Sequence, residues 1–343
     1  MTRSISLHDV ARRAGVSHTA VSLVLNRRTG RKRVSDKKAA RIRRIVHEMG
    51  YVPNHAARSL RLGKTRAIVL ATPTNLRYAY VHELIEEIQT QVTLHDYHLN
   101  LELLRRPQDR ESTYRTFVPG RCDGIIIVAA CREFPEQLAA LRKSGMPLVA
   151  IDMSRRRDLD CVYHDVGEAV RIGTAHLIQR GHQRIVFVLD HQAGACRNVR
   201  IRGYRRALKE ARMIMDDTLL LPWKVGDDPA ELWRRIAALR PKPSAILCYN
   251  TELTAALLRE VRRARVCVPE DMALVALGDA PLNMWVEVPL TAVDSNHPAV
   301  ARVAVERLLT QIGEPSTPPR QIRVQPILVV RESSGKQGLR RRE

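Results

Sequence analysis

Residues 6–25 read SLHDVARRAGVSHTAVSLVL, two short apolar-striped segments broken by a glycine and restarted by a serine. Few local folds satisfy that pattern. Ser6 with Asp9 three residues on forms a capping box, aspartate standing where glutamate is usual. Val10, Ala11 and Ala14 then fall on one helical face. Gly15 supplies the left-handed residue that ends the helix, and Ser17 can cap a second one, whose Val21, Val24 and Leu25 face the first. The outward residues of that second helix are His18, Thr19, Ser22 and Leu23, short or planar groups able to enter a major groove. The pattern predicts a helix-turn-helix. Its plain alternative is an ordinary αα-corner, and charge separates the two.

The chain has 57 lysines and arginines against 36 acids, a formal +21. Residues 1–66 hold seventeen of the bases and only Asp9, Asp36 and Glu48 as acids, a net +14 in the first fifth of the sequence. Solvated surface charge would be spread evenly. Concentration beside a helix pair predicts counterion release from a phosphate backbone.

The basic stretch RRTGRKR (27–33) leads to a third helix, with Ser35 as its expected cap, Ile42, Ile45, Val46 and Met49 as its stripe and Gly50 as its stop. In the following YVPNHAARSLRLGKTR, Pro53 blocks continuation, Asn54 can cap a new start, and 56–61 make about two turns before Gly63. A helix so short is unstable alone in water. It is expected to fold only against a partner helix and DNA.

From Ala67 the texture changes to strand–helix units. AIVLAT (67–72), GIIIVAA (124–130), PLVAID (147–152), RIVFVL (184–189), AILCYN (245–250) and MALVALG (272–278) are apolar runs of the kind buried parallel strands show. A further strand is expected near 97–104, and helices near 78–95, 133–144, 166–180, 197–212, 251–264 and 297–312. Such repeats imply parallel sheets with helices on both faces, ligands lying outside the carboxyl ends of the strands. Two sheets joined by several crossings leave a cleft between lobes. No run approaches the ~20 apolar residues of a membrane span, and the polar start lacks the apolar region of a signal peptide. The six cysteines contain no CxxC pair and read as reduced thiols of a cytoplasmic protein. No phosphate loop, HExxH or GxSxG motif is present, so the residues argue against an enzyme and imply no cofactor. No metal site is expected: His176 with His182 reads as a helix-end feature, and His95 with His98 lacks further ligands at zinc spacing.

Together these features resemble the LacI/GalR family of bacterial transcriptional regulators. The resemblance runs from about Ser4 to Glu332, through DVARRAGVSHTAVSLVLN (9–26), GYVPNHAARSLRLGKT (50–65), HLIQRGHQRI (176–185), RIRGYRRAL (200–208) and VPEDMALVALGD (268–279). It implies a helix-turn-helix head (1–52), a hinge helix and linker (53–66), and a two-lobed periplasmic-binding-protein-like domain (67–343). One lobe would span about 67–166 with 296–325, the other 167–295 with 326–343. It implies a homodimer on a palindromic operator in the cytoplasm, at the nucleoid, with a small effector such as a sugar or sugar acid in the cleft. A binding module of the same fold that reads no operator, a regulator with a degenerate pocket, and an activator stay open as alternatives.

Residue by residue, the resemblance implies base-edge contacts from His18, Thr19 and Ser22. Leu23 stands where relatives usually carry arginine or histidine, and a thymine methyl is its physical counterpart. Ser6, Ser17, Asn26 and Tyr51 match phosphate-contact positions. In the hinge, Asn54, Ala57, Arg58 and Arg61 flank Leu60, which matches a leucine wedged into the minor groove. Tyr78, Arg200, Asn250 and Asp279 match effector positions. The chain departs from its relatives at Ala276-Leu277-Gly278-Asp279, where Gly-Phe-Asp-Asp is usual, so one effector-binding acid is missing at Gly278. Asp228 replaces an aromatic, for which Trp223 is the expected substitute. With less acid at one end and Arg200 at the other, an anionic effector is the expectation.

Overall fold

The computed structural model describes residues 5–25, 34–51, 64–72, 79–104, 117, 120–128, 140–151, 158–190 and 194–335. The chain divides into two compact units, Met1–Thr65 and Arg66–Glu343.

The first unit contains α1 (Leu7–Ala14), α2 (His18–Leu25) and α3 (Asp36–Glu48). The capping box forms: Asp9 N–H donates to Ser6 Oγ at 3.3 Å and Ser6 N–H to Asp9 Oδ2 at 2.9 Å. Gly15 takes φ +61°, and the Val16 N–H reaches back to the Ala11 carbonyl at 3.1 Å, which turns the chain sharply into α2. Ser17 Oγ accepts the Ala20 N–H at 3.2 Å. Val10, Ala14, Val21 and Ile42 are wholly buried where the three helices meet, and this shared core sustains helices too short to persist alone. Ser35 departs from expectation. It occupies the cap position of α3, but its side chain makes no cap bond and only its carbonyl serves, accepting from Ala39 N–H at 2.9 Å. The linker 53–63 and its Leu60 lie outside the described residues.

The second unit contains β1 (Ala67–Thr72), α4 (Ala79–Leu94), β2 (His98–Leu103), β3 (Gly124–Val128), β4 (Leu148–Ile151), β5 (Asp160–His164), α5 (Val166–Gln179), β6 (Ile185–Asp190), α6 (Gly194–Glu210), β7 (Leu220–Trp223), α7 (Pro229–Ala238), β8 (Ala245–Cys248), α8 (Thr251–Arg263), β9 (Ala273–Leu277), α9 (Leu282–Trp285), β10 (Thr291–Asp294), α10 (His297–Gly313), β11 (Gln321–Val324) and β12 (Ile327–Val329). The strands form two six-stranded sheets, β11-β5-β4-β3-β1-β2 and β12-β10-β9-β8-β6-β7. Every pairing is parallel except β12 with β10. The predicted segment 133–144 is described only from residue 140.

Alternation along each strand feeds both faces of its sheet. In the first sheet Ile68 and Leu70 meet α4 and α10, and Val69 and Ala71 join the core on the other side. In the second, Phe187 packs on α5 and α6, and Val186 and Val188 pack toward α7 and α8. The chain passes between the sheets after β5, after β10 and between β11 and β12. His164, Asp294 and Val324 end the strands at these crossings.

α5 and α6 pack backbone to backbone. A Cβ on Gly203 would stand 2.0 Å from the Gly167 carbonyl oxygen. Gly203→Ala is therefore expected to cost about 3 kcal/mol, because a helix backbone cannot yield as a side chain can. Gly313→Ala, where a Cβ meets nothing within 4 Å, is the control and should be neutral or slightly stabilising. Equal urea midpoints for the two variants would contradict the close crossing.

Candidate nucleic-acid interface and interlobe site

In the first unit, α2 turns Val21 and Val24 inward and leaves His18 and Thr19 exposed, with Ser22 and Leu23 half-buried beside them. The His8 and His18 rings lie 5.2 Å apart, so the start of α1 contributes to the same surface. Ser6 and Ser17 are exposed at the two helix starts. The dipole of a helix start favours an anion. Tyr51 closes α3, its N–H donating to the Val46 carbonyl at 3.0 Å past Gly50 at φ +62°. Along α3, Lys37, Lys38, Arg41, Arg43 and Arg44 are all exposed. Exposed helix start, flanking hydroxyls and a cationic helix form a surface that can read base edges and hold phosphates. Asn26, Asn54, Ala57, Arg58, Leu60 and Arg61 lie outside the described residues.

The second unit brings together, where the chain crosses between sheets, a polar group that sequence reasoning largely missed. His297 opens α10, is buried, and sets Nδ1 at 3.8 Å from Glu83 Oε2 on α4. The His164 ring meets the His297 ring edge-on at 5.4 Å. Asp294 accepts the Asn296 N–H at 2.8 Å. Burial and the carboxylates of Asp294, Asp279 and Glu86 push the Glu83 carboxyl up to about 7. The Asp294 carboxyl is also raised, by burial first and then by Asp279, against the lowering effect of the Asn296 N–H, His164 and Arg331. His164 and Asp294 end short strands and His297 opens a helix, positions that carry no periodic signal in the sequence.

Of the predicted effector residues, Asp279 follows β9 with its carboxylate engaged. Arg331 grips both oxygens at 2.9 and 2.7 Å, and Asn283 donates to Oδ1 at 2.8 Å. Asn250 caps α8, its Oδ1 accepting the Leu253 N–H at 3.0 Å. Arg200 is half-buried on α6, and Tyr78 lies outside the described residues. Gly278 takes φ +97°, so an acid at that position would be strained. Two expectations are corrected. Trp223 sits in the core beneath α7, 7% exposed, and does not replace the missing aromatic, because its strand register turns it inward. Asp228 caps α7. The site is also not poor in acid: Glu83 and Asp294 stand near Asp279 despite the glycine at 278.

A raised carboxyl contributes stability that is present below its unfolded pKa and is lost as pH rises through its folded one. The Glu83 contribution therefore fades from about 4.5 toward about 7. Gln mimics the neutral acid. Glu83→Gln should melt with wild type at low pH and above it once pH exceeds neutrality, as read by calorimetry. An unchanged difference across the pH range would show that Glu83 is not held in this way.

His176 and His182 serve separate partners. His176 Nε2 lies 2.8 Å from Ser334 Oγ, its ring pushed down to about 4 by burial, Arg180 and His182, and His182 Nδ1 lies 2.9 Å from Ser244 Oγ. Among the described residues no group of three His, Cys, Asp or Glu could hold a metal ion, and no helix is long and apolar enough to cross a membrane.

Comparison with known proteins agrees with both halves of this picture. Residues 6–54 match the profile of bacterial regulatory proteins of the lacI family, and residues 174–334 that of a periplasmic binding protein-like domain. The chain is 29% identical over 335 residues to the HTH-type transcriptional repressor PurR of Vibrio campbellii, covering 96% of this chain and 98% of that one. It is 27% identical over 346 residues to the NTD biosynthesis operon regulator NtdR of Bacillus subtilis, covering 96% and 99%. Among solved structures, a transcriptional regulator CelR–cellobiose complex superposes with TM-score 0.70 at 25% identity over 96% of this chain and 99% of that one. The lac repressor dimer bound to operator and the anti-inducer ONPF shares the fold at TM-score 0.77 and 19% identity, over 97% and 100%.

Proposed function

Because the chain belongs to the LacI family of bacterial regulatory proteins, which are DNA-binding transcriptional regulators and not enzymes, we propose that it represses transcription as a cytoplasmic homodimer on a two-fold symmetric operator. The observation that carries the reading is the head. Capped helices present His18 and Thr19 on an exposed face, beside a cationic α3 within the +14 of residues 1–66. His18, Thr19 and Ser22 read base edges, Leu23 contacts a thymine methyl, and Ser6, Ser17, Asn26 and Tyr51 hold phosphates. Residues 53–66 form the hinge, where Leu60 wedges into the minor groove with Asn54, Ala57, Arg58 and Arg61 around it.

The effector enters between the lobes, 67–166 with 296–325 and 167–295 with 326–343, and biases their closure, which shifts the population of folded hinges. Tyr78, Arg200, Asn250 and Asp279 are its proposed contacts. Glu83 and Asp294 favour a small metabolite with hydroxyl or amino donors over an acid. A second reading, a regulator whose pocket has lost its ligand, is favoured by the engagement of Asp279 with Arg331 and of Asn250 in a helix cap.

Selection of bound sequences from random duplexes, with and without a metabolite library, tests both. A two-fold symmetric consensus is expected, weakened far more than nonspecific binding by Leu60→Ala. No consensus ends the operator reading. A consensus that no metabolite shifts favours the ligand-free regulator.

A further inference from the structure

α6, which carries Arg200 in its first half, ends in an open groove. The helix holds six cations, Arg197, Arg200, Arg202, Arg205, Arg206 and Lys209, against one acid, Glu210. Glu210 and the nearby Glu168 are both engaged by Arg171 and Arg206. Among the described residues Lys209 and Arg212 pair with no acid, and the one acid beside Arg205 is Asp217, at 3.5 Å.

The helix end builds the groove. Arg212 turns the chain back at φ +56°, a left-handed position where glycine or asparagine is usual. The Met213 N–H then reaches the Leu208 carbonyl at 2.9 Å, which folds Met213 back onto the helix. Arg205 Nε donates to Met215 Sδ at 3.0 Å and so lies across the same turn. The space enclosed is about 510 Å³, with Leu208, Met213 and Met215 as its apolar floor and Arg205, Lys209 and Arg212 exposed around it. Between the two methionines Ile214 is 94% exposed, more than any other large apolar side chain among the described residues.

Cations at a helix C-terminus complement its dipole. That accounts for Lys209, but it asks for neither a thioether floor nor an arginine in a left-handed turn. Thioethers adapt to apolar side chains of varied shape. A small anion would stay mostly in solvent here, since the three cations are themselves exposed and ligand pockets enclose most of their ligand. A phosphate backbone has nothing to set on the methionines and Ile214. A chain with carboxylates along one edge and apolar side chains along the other matches both features. We propose that this groove docks an acidic amphipathic segment of a partner protein, its carboxylates on Arg205, Lys209 and Arg212 and its apolar side chains on Leu208, Met213 and Met215.

The probes are two synthetic helical peptides of equal charge, one of glutamate and leucine and one of glutamate and serine, titrated by calorimetry into the full chain. The leucine peptide is expected to bind, and the serine peptide roughly tenfold more weakly. Lys209→Glu with Arg212→Glu should weaken the leucine peptide roughly 30-fold and leave operator affinity unchanged. Arg212→Gly removes one cation and suits the left-handed backbone, so it should melt at or above wild type and still bind the peptide more weakly. Replacing Arg31, Lys32 and Arg33 by glutamine should leave peptide binding as it was, which separates the groove from the basic head. No binding by wild type, or equal affinity in wild type and both groove variants, overturns the proposal. So does peptide binding that the head replacement abolishes, or a serine peptide that matches the leucine one. A double glutamate variant that weakens scrambled duplex as much as peptide would mark a nucleic-acid surface and overturn it too.

Discussion

Raising salt from about 50 to about 200 mM should weaken operator binding by about 10⁴-fold. The size follows from counting released counterions. The logarithm of affinity falls with the logarithm of salt at about 0.9 per phosphate neutralised, and roughly eight phosphates met across two heads give a slope near −7. The head can supply the charge. Lys37, Lys38, Arg41, Arg43 and Arg44 are exposed along α3, and Arg27, Arg28, Arg31, Lys32 and Arg33 follow α2 in sequence. Replacing Arg31, Lys32 and Arg33 by glutamine should flatten the slope by about one for each phosphate left unneutralised, and weaken operator and scrambled duplexes alike. His18→Ala should instead weaken the operator and leave the scrambled duplex nearly unchanged, because base edges carry sequence and phosphates do not. Fluorescence anisotropy against both duplexes, with salt as the variable, separates the two. A slope near zero would mean that the head's charge does not meet DNA.

The head was legible because each of its signals is local. Ser6 and Asp9, Gly15 and Ser17 are within a helical turn of the groups they bond, so spacing alone specifies the bond. Ser35 misled for a related reason: a capping residue type reports a competence, and the backbone at that position left the hydroxyl unused. In the larger unit the long apolar strands were equally plain, since burial on both faces leaves continuous runs such as Ala67–Thr72 and Gly124–Val128. Short strands were not. Leu220–Trp223 contains a proline, Gln321–Val324 alternates exposed and half-buried residues at a sheet edge, and Thr291–Asp294 is four residues long. Missing β10 hid the crossing it feeds, and with it Asp294 and His297. Glu83 was invisible for a different reason. Two of the three carboxylates that raise it, Asp279 and Asp294, lie more than 190 positions away, and no pattern within one helix encodes that approach. Family likeness suggested Asp279 and Asn250 as effector contacts, yet could not reveal that Arg331 and a helix end already use them.

Asp160→Ala should cost the second unit about 3–5 kcal/mol, the largest loss expected from any single side chain in it. Asp160 begins β5 and is 3% exposed. Its carboxylate accepts from Arg307 Nε at 2.5 Å, from the Arg320 N–H at 2.8 Å and from the Gln311 amide. Arg307 is itself 6% exposed and donates also to the Pro318 carbonyl. One buried carboxylate thus ties α10 to β5 and fixes the approach to β11. Truncating it leaves the arginine charged, dry and answered only by the Pro318 carbonyl, which is far costlier than the loss of an exposed pair. Asp160→Asn should be little better, since its amide turns donors toward donors. The diagnostic variant is the double replacement Asp160→Leu with Arg307→Met, which removes both charges and keeps volume. It should recover most of the loss, because desolvation is then no longer opposed by half a bond. Followed by circular dichroism, Asp160→Ala should lower the melting temperature by on the order of 10 °C and the double variant by much less. Equal losses in the two would mean that packing, and not the buried charge, holds β5 to α10.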